Sequence, residues 1–258
     1  MHKIPIFDSL THPTSCGDWL NGKDYNNVVN NLLNQMKENK IKWAFCVEMP
    51  NVNKFRKFEY RDLVKEHDNL YPVYFFDDYN KIKSKIKHIK DNGYIGIKIH
   101  PRLSKISIAN DKIKQVIKEA SKYNLITFLC TYFYDDSNIS IENNIGSLRK
   151  LLSKVNAAKI ILLHGGTIHL LELMEIVKPY DNVMLDLSYT LCKYKGSSLD
   201  LDIAYVFKNF DRRICIGSDS PEITLKELRE RYEYFSKDLN IDKKNNIAFK
   251  NIKNFIGK

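Results

Sequence analysis

Residues Ile160-Ile161-Leu162-Leu163-His164-Gly165-Gly166 decide the fold. Four apolar residues, two of them β-branched, run straight into a histidine and two glycines. An apolar helical stripe over Ile168–Val177 follows at once. A short continuous apolar run with no alternation is the pattern of a strand covered on both faces, and a helix directly after it makes a βα unit.

The same unit recurs along the chain. Strands are expected at Ile4–Asp8, Trp43–Glu48, Tyr71–Phe76, Gly96–His100, Ile126–Thr131, Ile160–His164, Val183–Ser188 and Ile214–Ser218. Helical periodicity falls between them, over Tyr25–Asn39, Tyr79–Asn92, Asp111–Tyr123, Ile145–Val155, Ile168–Val177, Leu199–Phe207 and Ile223–Leu239, with a shorter stretch after Arg61. Lys243–Lys258 reads as a terminal helix. Eight βα units in 258 residues fit a (β/α)8 TIM barrel, which takes about 250 residues. An open doubly wound sheet would not need eight units, and no GxGxxG follows the first strand. No linker or low-complexity tract divides the chain, so residues 1–258 are expected to form a single domain. The longest loop-like stretches, Pro13–Asp24, Pro50–Glu59 and Tyr132–Ser140, all follow strands, where a barrel builds its active face.

Composition narrows the function. With 43% hydrophobic and 28% charged residues the chain can build a core. The 41 Lys+Arg against 31 Asp+Glu give +10. The lysines fall in helical runs such as Lys81-Ile82-Lys83-Ser84-Lys85-Ile86-Lys87, where they read as a solvated face rather than a nucleic-acid surface. That charge can still steer acidic substrates. Cys16, Cys46, Cys130, Cys192 and Cys215 are odd in number, widely spaced and without a CxxC, which suits reduced thiols in a cytoplasm. No apolar stretch is long enough for a membrane span. The expected partner is a small molecule, not nucleic acid or membrane, with a homo-oligomer open.

The polar residues fall at strand ends. The first strand runs into Asp8-Ser9-Leu10-Thr11-His12, the fourth into Lys98-Ile99-His100-Pro101, the fifth into Cys130-Thr131, the sixth into His164-Gly165-Gly166 and the eighth into Ser218-Asp219-Ser220-Pro221; Glu48 ends the second. Histidines with an aspartate offer metal ligands, a general base, or both. Taken singly, each could instead cap a helix or satisfy loop backbone.

These motifs, in this order, resemble the amidohydrolase superfamily, in its amidohydrolase-2 (amidohydrolase-related) branch of metal-dependent hydrolases and some decarboxylases. Ile6-Phe7-Asp8-Ser9-Leu10-Thr11-His12 resembles the opening Asp-x-His-x-His strand. Gly96–Pro101, Ile161–Gly166, Val183–Ser188 and Ile216–Pro221 resemble the fourth, sixth, seventh and eighth strand signatures, and Asn246–Asn251 the closing helix. Two positions depart: Leu10 stands where the family has the first of its paired histidines, and Cys130 where it has the fifth-strand histidine.

The resemblance implies a hydrolase acting on the C–N or C–O bond of an amide, lactone or ester in a small acidic or sugar-derived metabolite. It implies Asp219 as general base, His164 as electrophile or oxyanion stabiliser and His100 as a binding or proton-relay group. Lys98, Arg102 and Tyr132 would bind substrate. Its metal, zinc in the usual case, would be held by His12, Asp219 and Cys130; with Leu10 in place a metal-free site is the other reading. A non-oxidative decarboxylase and a non-catalytic metabolite-binding barrel are the alternatives. His2, His67, His88 and His169 are given no chemistry.

Overall fold

The computed structural model describes residues 3–13, 25–48, 59–134 and 144–257. Cys16 and most of the three long loop-like stretches lie outside them.

The eight strands are β1 Ile6–Thr11, β2 Ile41–Val47, β3 Leu70–Phe76, β4 Gly96–Ile99, β5 Ile126–Cys130, β6 Ile160–Leu163, β7 Val183–Asp186 and β8 Ile214–Cys215. They form one sheet in the order of the chain, β1 to β8. The helices are α1 Tyr25–Glu38, α2 Glu59–Lys65, α3 Ile82–Asp91, α4 Asp111–Lys122, α5 Asn144–Lys154, α6 Leu170–Val177, α7 Thr190–Lys193, α8 Leu199–Asn209, α9 Leu225–Ser236, α10 Ile241–Asn245 and α11 Asn251–Ile256. Eight parallel strands in chain order, each followed by a helix, are the (β/α)8 barrel class. Every residue of β1, β3, β4, β5, β6 and β7 is buried, as expected of parallel strands covered on both faces.

The residues cluster into two compact units: Met1–Val73 with Asp186–Lys258, and Tyr74–Leu185. In the first unit, Phe7 packs on Phe45 (4.8 Å) and Tyr71 (5.4 Å). Arg229 of α9 donates to the carbonyls of Ile4, Asn39 and Lys40, tying that helix to the entries of β1 and β2. Thr224 and Glu227 make a reciprocal capping box at the start of α9. In the second unit α4 illustrates how sequence makes a helix here. Asn110 caps it by accepting from the Lys112 amide, and Ile113, Val116, Ile117 and Ala120 are buried on one stripe. Each of the three larger side chains contributes roughly 1.5–3 kcal/mol by burial.

Several boundaries differ from expectation, and three of the differences have a visible cause. β1 reaches Thr11 rather than Asp8, because Asp8, Ser9 and Thr11 find hydrogen-bond partners inside the fold. β8 ends at Cys215 rather than Ser218, because the Ser218 amide turns to the Asp8 carboxylate instead of a neighbouring strand. The terminal helix starts at Ile241 behind an Asn240 cap and is interrupted by a π turn over Asn246–Lys250.

Candidate active site

In the first unit the site begins with backbone. The chain from Ile214 to Ser220 runs beside β1. Ser9 N–H donates to Ile216 O (3.0 Å), Asp219 N–H to Leu10 O (2.8 Å) and His12 N–H to Ser220 O (2.7 Å). Gly217 allows this approach: a Cβ there would stand 2.6 Å from Ser9 Oγ and 2.8 Å from the Leu10 amide nitrogen. Beyond Gly217 the chain turns sharply, with Asp219 at φ 56 and a cis Ser220–Pro221 bond.

That turn presents Asp219 to His12. The His12 ring is 1% exposed and the Asp219 side chain 15%. His12 Nδ1 lies 3.0 Å from Val47 O, a contact that requires hydrogen on Nδ1. His12 Nε2 then faces Asp219 Oδ1 at 3.4 Å. Two lone pairs at that distance call for a proton or a cation between them.

Behind the pair lie two fully buried carboxylates. Asp8 accepts from the amides of Leu10 (3.2 Å) and Ser218 (2.9 Å) and from Ser218 Oγ (2.7 Å). Burial nonetheless raises its pKa to about 7, with a smaller push from Asp186. Asp186 accepts from the hydroxyls of Ser9 and Ser188 and from the Ser188 amide. Sequence assigns Asp186 no role; a lone carboxylate in the apolar run Val183–Leu187 is the available signal.

Two ligands of one tetrahedral zinc, each bonded at about 2.0–2.1 Å, stand roughly 3.3–3.4 Å apart. The His12–Asp219 spacing matches that, and an Nδ1–H held by a carbonyl is how ligand histidines are usually oriented. The set stops at two, however. Leu10 is fully buried, and among the described residues no three His, Cys, Asp or Glu are gathered as a metal ion requires. Among the described residues the donors therefore do not complete a zinc site.

In the second unit the register of three strands assembles the other candidates. Ile99 of β4 pairs with Leu129 of β5, and Cys130 pairs with Leu163 of β6. The next residues along β4 and β6 are His100 and His164, and both imidazoles act on the Cys130 thiol. Cys130 is 2% exposed and each histidine 5%. Burial works to raise the Cys130 thiol's pKa, but the two imidazoles outweigh it and hold the value well below the ordinary thiol range. His100 Nδ1 accepts the Leu103 amide hydrogen (3.2 Å), so the hydrogen of that ring sits on Nε2. The Tyr132 ring meets His164 edge-on at 6.4 Å, and the Arg102 guanidinium lies over Tyr132 at 5.1 Å. Lys98 is 2% exposed on β4.

His164 sits in a strained turn. His164, Gly165, Gly166 and Thr167 all have positive φ, and Thr167, β-branched, is at φ 55, ψ −112. Thr131 holds the turn: its hydroxyl donates to Leu163 O and accepts from the Gly166 amide. Tyr134 Oη and His169 Nε2 are 2.6 Å apart, and His169 Nδ1 is 3.2 Å from Glu172, so a histidine given no chemistry by sequence belongs to an exposed Tyr–His–Glu chain.

Fold and side chains together define a (β/α)8 barrel bearing acid–base groups after its strands. The sequence matches no family model and no curated protein. Solved structures do match over nearly the whole chain. An uncharacterized TIM-barrel protein from Bordetella bronchiseptica is 14% identical, with a TM-score of 0.80 over 99% of this chain and 100% of that one. A probable 2-pyrone-4,6-dicarboxylic acid hydrolase from Acinetobacter baumannii, with citric acid bound, is 12% identical, with a TM-score of 0.72 over 99% and 100%. The 5-carboxyvanillate decarboxylase of Sphingomonas paucimobilis is 12% identical, with a TM-score of 0.69 over 99% of both chains. The structural neighbours also include a putative amidohydrolase from Staphylococcus aureus, 13% identical, with a TM-score of 0.71 over 99% of this chain and 100% of that one. At these identities the likeness shows the fold.

Proposed function

We propose that the chain is a hydrolase of the amidohydrolase superfamily. Its substrate is a small acidic or sugar-derived metabolite with an amide, lactone or ester bond. The observation that carries this reading is the His12–Asp219 pair. It combines a buried imidazole of fixed tautomer with a carboxylate that solvent still reaches, at a separation that demands a shared proton or cation.

Asp219 is the general base that takes a proton from the attacking water, and His12 Nε2 shares that proton. His164 stabilises the oxyanion that develops on the substrate carbonyl. His100 relays protons or binds substrate, while Lys98, Arg102 and Tyr132 receive its acidic group, Arg102 as a planar donor. The fold class supports the assignment, since (β/α)8 enzymes carry their chemistry on the segments that follow the strands.

The test is turnover of a panel of lactones, esters and amides carrying carboxylates, 2-pyrone-4,6-dicarboxylate among them, by the intact protein and by Asp219→Asn. General-base loss lowers kcat by about 10²–10⁴; unchanged turnover in the variant refutes the reading. Because a decarboxylase shares the fold, the same panel is assayed for carbon dioxide. Release of carbon dioxide without acid would assign a decarboxylase instead.

A further inference from the structure

We infer that the cleft between α9 and the connection from α7 to α8 binds a zwitterion, an α-amino acid with a large side chain. The site lies wholly within the first unit and shares no residue with the hydrolase site proposed above. It does not rest on that reading.

The cleft has a volume of about 390 Å³, within the roughly 300–1,000 Å³ of small-molecule sites. One wall is Arg231, whose side chain is 7% exposed. A buried charge is costly unless it is paired and hydrogen-bonded, and this one is held firmly. Its Nε donates to Leu191 O at 2.7 Å, its Nη2 donates to Asp200 Oδ1, and the Phe235 ring lies 4.5 Å from the guanidinium carbon. Asp200 is committed in turn, since its Oδ2 accepts the Gly196 amide at 2.9 Å. Those bonds use one edge of the planar fork. The other edge, Nη1 with the second hydrogen of Nη2, meets no acceptor among the described residues. Nη1 is nonetheless not a buried orphan; it opens to solvent in the cleft that Arg231 lines. A fixed, two-hydrogen donor edge of this kind matches a ligand carboxylate. Lys195, exposed between α7 and α8 on the same cleft, adds a second positive charge.

The opposite charge sits one helical turn away. Glu227, Glu230, Arg231 and Tyr234 share one face of α9, and all four line the cleft. Glu227 and Arg231, four residues apart, are separated by about 6 Å along the helix axis. Glu227 Oε2 accepts from the Thr224 amide and hydroxyl, which leaves Oε1. Glu230 Oε1 is loosely paired, with Lys226 Nζ at 3.9 Å. A lone anion in the cleft would meet these two carboxylates, and a lone cation would meet Arg231 and Lys195. A ligand carrying both charges on one carbon satisfies both sets, its carboxylate on Arg231 and its ammonium on Glu230. The Tyr234 ring, 55% exposed, supplies an apolar wall for that ligand's side chain.

Cys192 lines the cleft and is half-buried, so it reports occupancy. Burial pushes its thiol up to about 12, which makes its alkylation slow enough to time. The intact chain is treated with N-ethylmaleimide at mildly alkaline pH, and the Cys192 peptide is followed by mass spectrometry. The additives are L-phenylalanine, phenethylamine (no carboxylate) and 3-phenylpropanoate (no ammonium). L-Phenylalanine at about ten times its Kd should slow labelling about tenfold. Each analogue lacks a charge-assisted bond that contributes about tenfold or more in affinity, so at the same concentration it should slow labelling no more than about twofold. Isothermal titration calorimetry measures the same binding without the thiol. Glu230→Gln should weaken L-phenylalanine about tenfold and tighten 3-phenylpropanoate; Lys195→Met should weaken L-phenylalanine and tighten phenethylamine. Both residues are exposed, and tightening of an analogue is not an effect that misfolding produces. Protection by either analogue equal to that by L-phenylalanine overturns the proposal. So does the absence of both heat and protection with every common amino acid at about 10 mM, where even a millimolar Kd would register.

Discussion

Asp8 offers the sharpest test of the electrostatics, through Asp8→Asn. The carboxyl is fully buried and its folded pKa is raised from 3.8 to about 7, by burial first. In the unfolded chain it ionises near 3.9. Between those values the folded state holds a proton that the unfolded state has lost. Its contribution to stability is therefore fully present below about pH 4, falls as pH rises, and is gone above about pH 7. From pH 5 to pH 8 the loss is about 3 kcal/mol, at 1.36 kcal/mol per pH unit. Asparagine stays neutral throughout. Its carbonyl can still accept from the Leu10 and Ser218 amides, and its NH2 can donate to Ser218 Oγ. That hydroxyl is 3.3 Å from Leu10 O and can turn to it. Urea unfolding of both proteins at pH 5 and pH 8 isolates the effect, because groups common to both cancel. Asp8→Asn should gain about 3 kcal/mol relative to the unmodified chain between the two pH values. Equal differences at both would mean that Asp8 is ionised in the fold and that the three donors around it outweigh burial.

Gly217→Ala forces a methyl to within 2.8 Å of the Leu10 amide nitrogen; a loss of about 1–3 kcal/mol by urea titration is expected, since backbone must shift. Arg229→Met leaves three carbonyls without their charged donor and should cost on the order of 3 kcal/mol, read as a lowered Tm. Thr131→Val removes the hydroxyl that holds the His164 turn; stability should fall by about 2 kcal/mol, read by urea titration. Zinc measured by elemental analysis of the purified protein, beside His12→Gln and Cys130→Ala, should stay well below one equivalent in all three, because zinc enzymes use about three protein ligands; one equivalent lost in either variant would restore the metal reading.

The alternation of apolar strand and amphipathic helix is a local property of the chain, so all eight strands were legible, as was the stripe of α4. The ends were not. Asp8, Ser9 and Thr11 look like loop residues beside Ile6 and Phe7, yet they continue β1 because partners as distant in sequence as Ser218 and Asp186 satisfy them. No local pattern carries that information. The strand-end histidines were readable as candidates, but the company of Cys130 was not. His100 and His164 lie 30 and 34 positions from it in the chain, and only the register of β4, β5 and β6 makes them its neighbours.

Leu10 and Cys130, the two departures from the amidohydrolase-like pattern, have different physical consequences. At Leu10 the side chain can no longer ligate, but the backbone still works: its N–H donates to Asp8 and its carbonyl accepts the Asp219 amide. Those bonds place Asp219 opposite His12 whatever side chain position 10 carries. At Cys130 burial works to raise the thiol's pKa, and the His100 and His164 imidazoles work to lower it. Both changes remove an imidazole that the amidohydrolase-like pattern would offer to a metal. A Leu10→His, Cys130→His double variant should restore both imidazoles and gain zinc on dialysis against the metal. A double variant that folds but binds no zinc would show that the strands no longer hold ligand geometry, and that the departure from a metal site lies in the backbone as well as in two side chains.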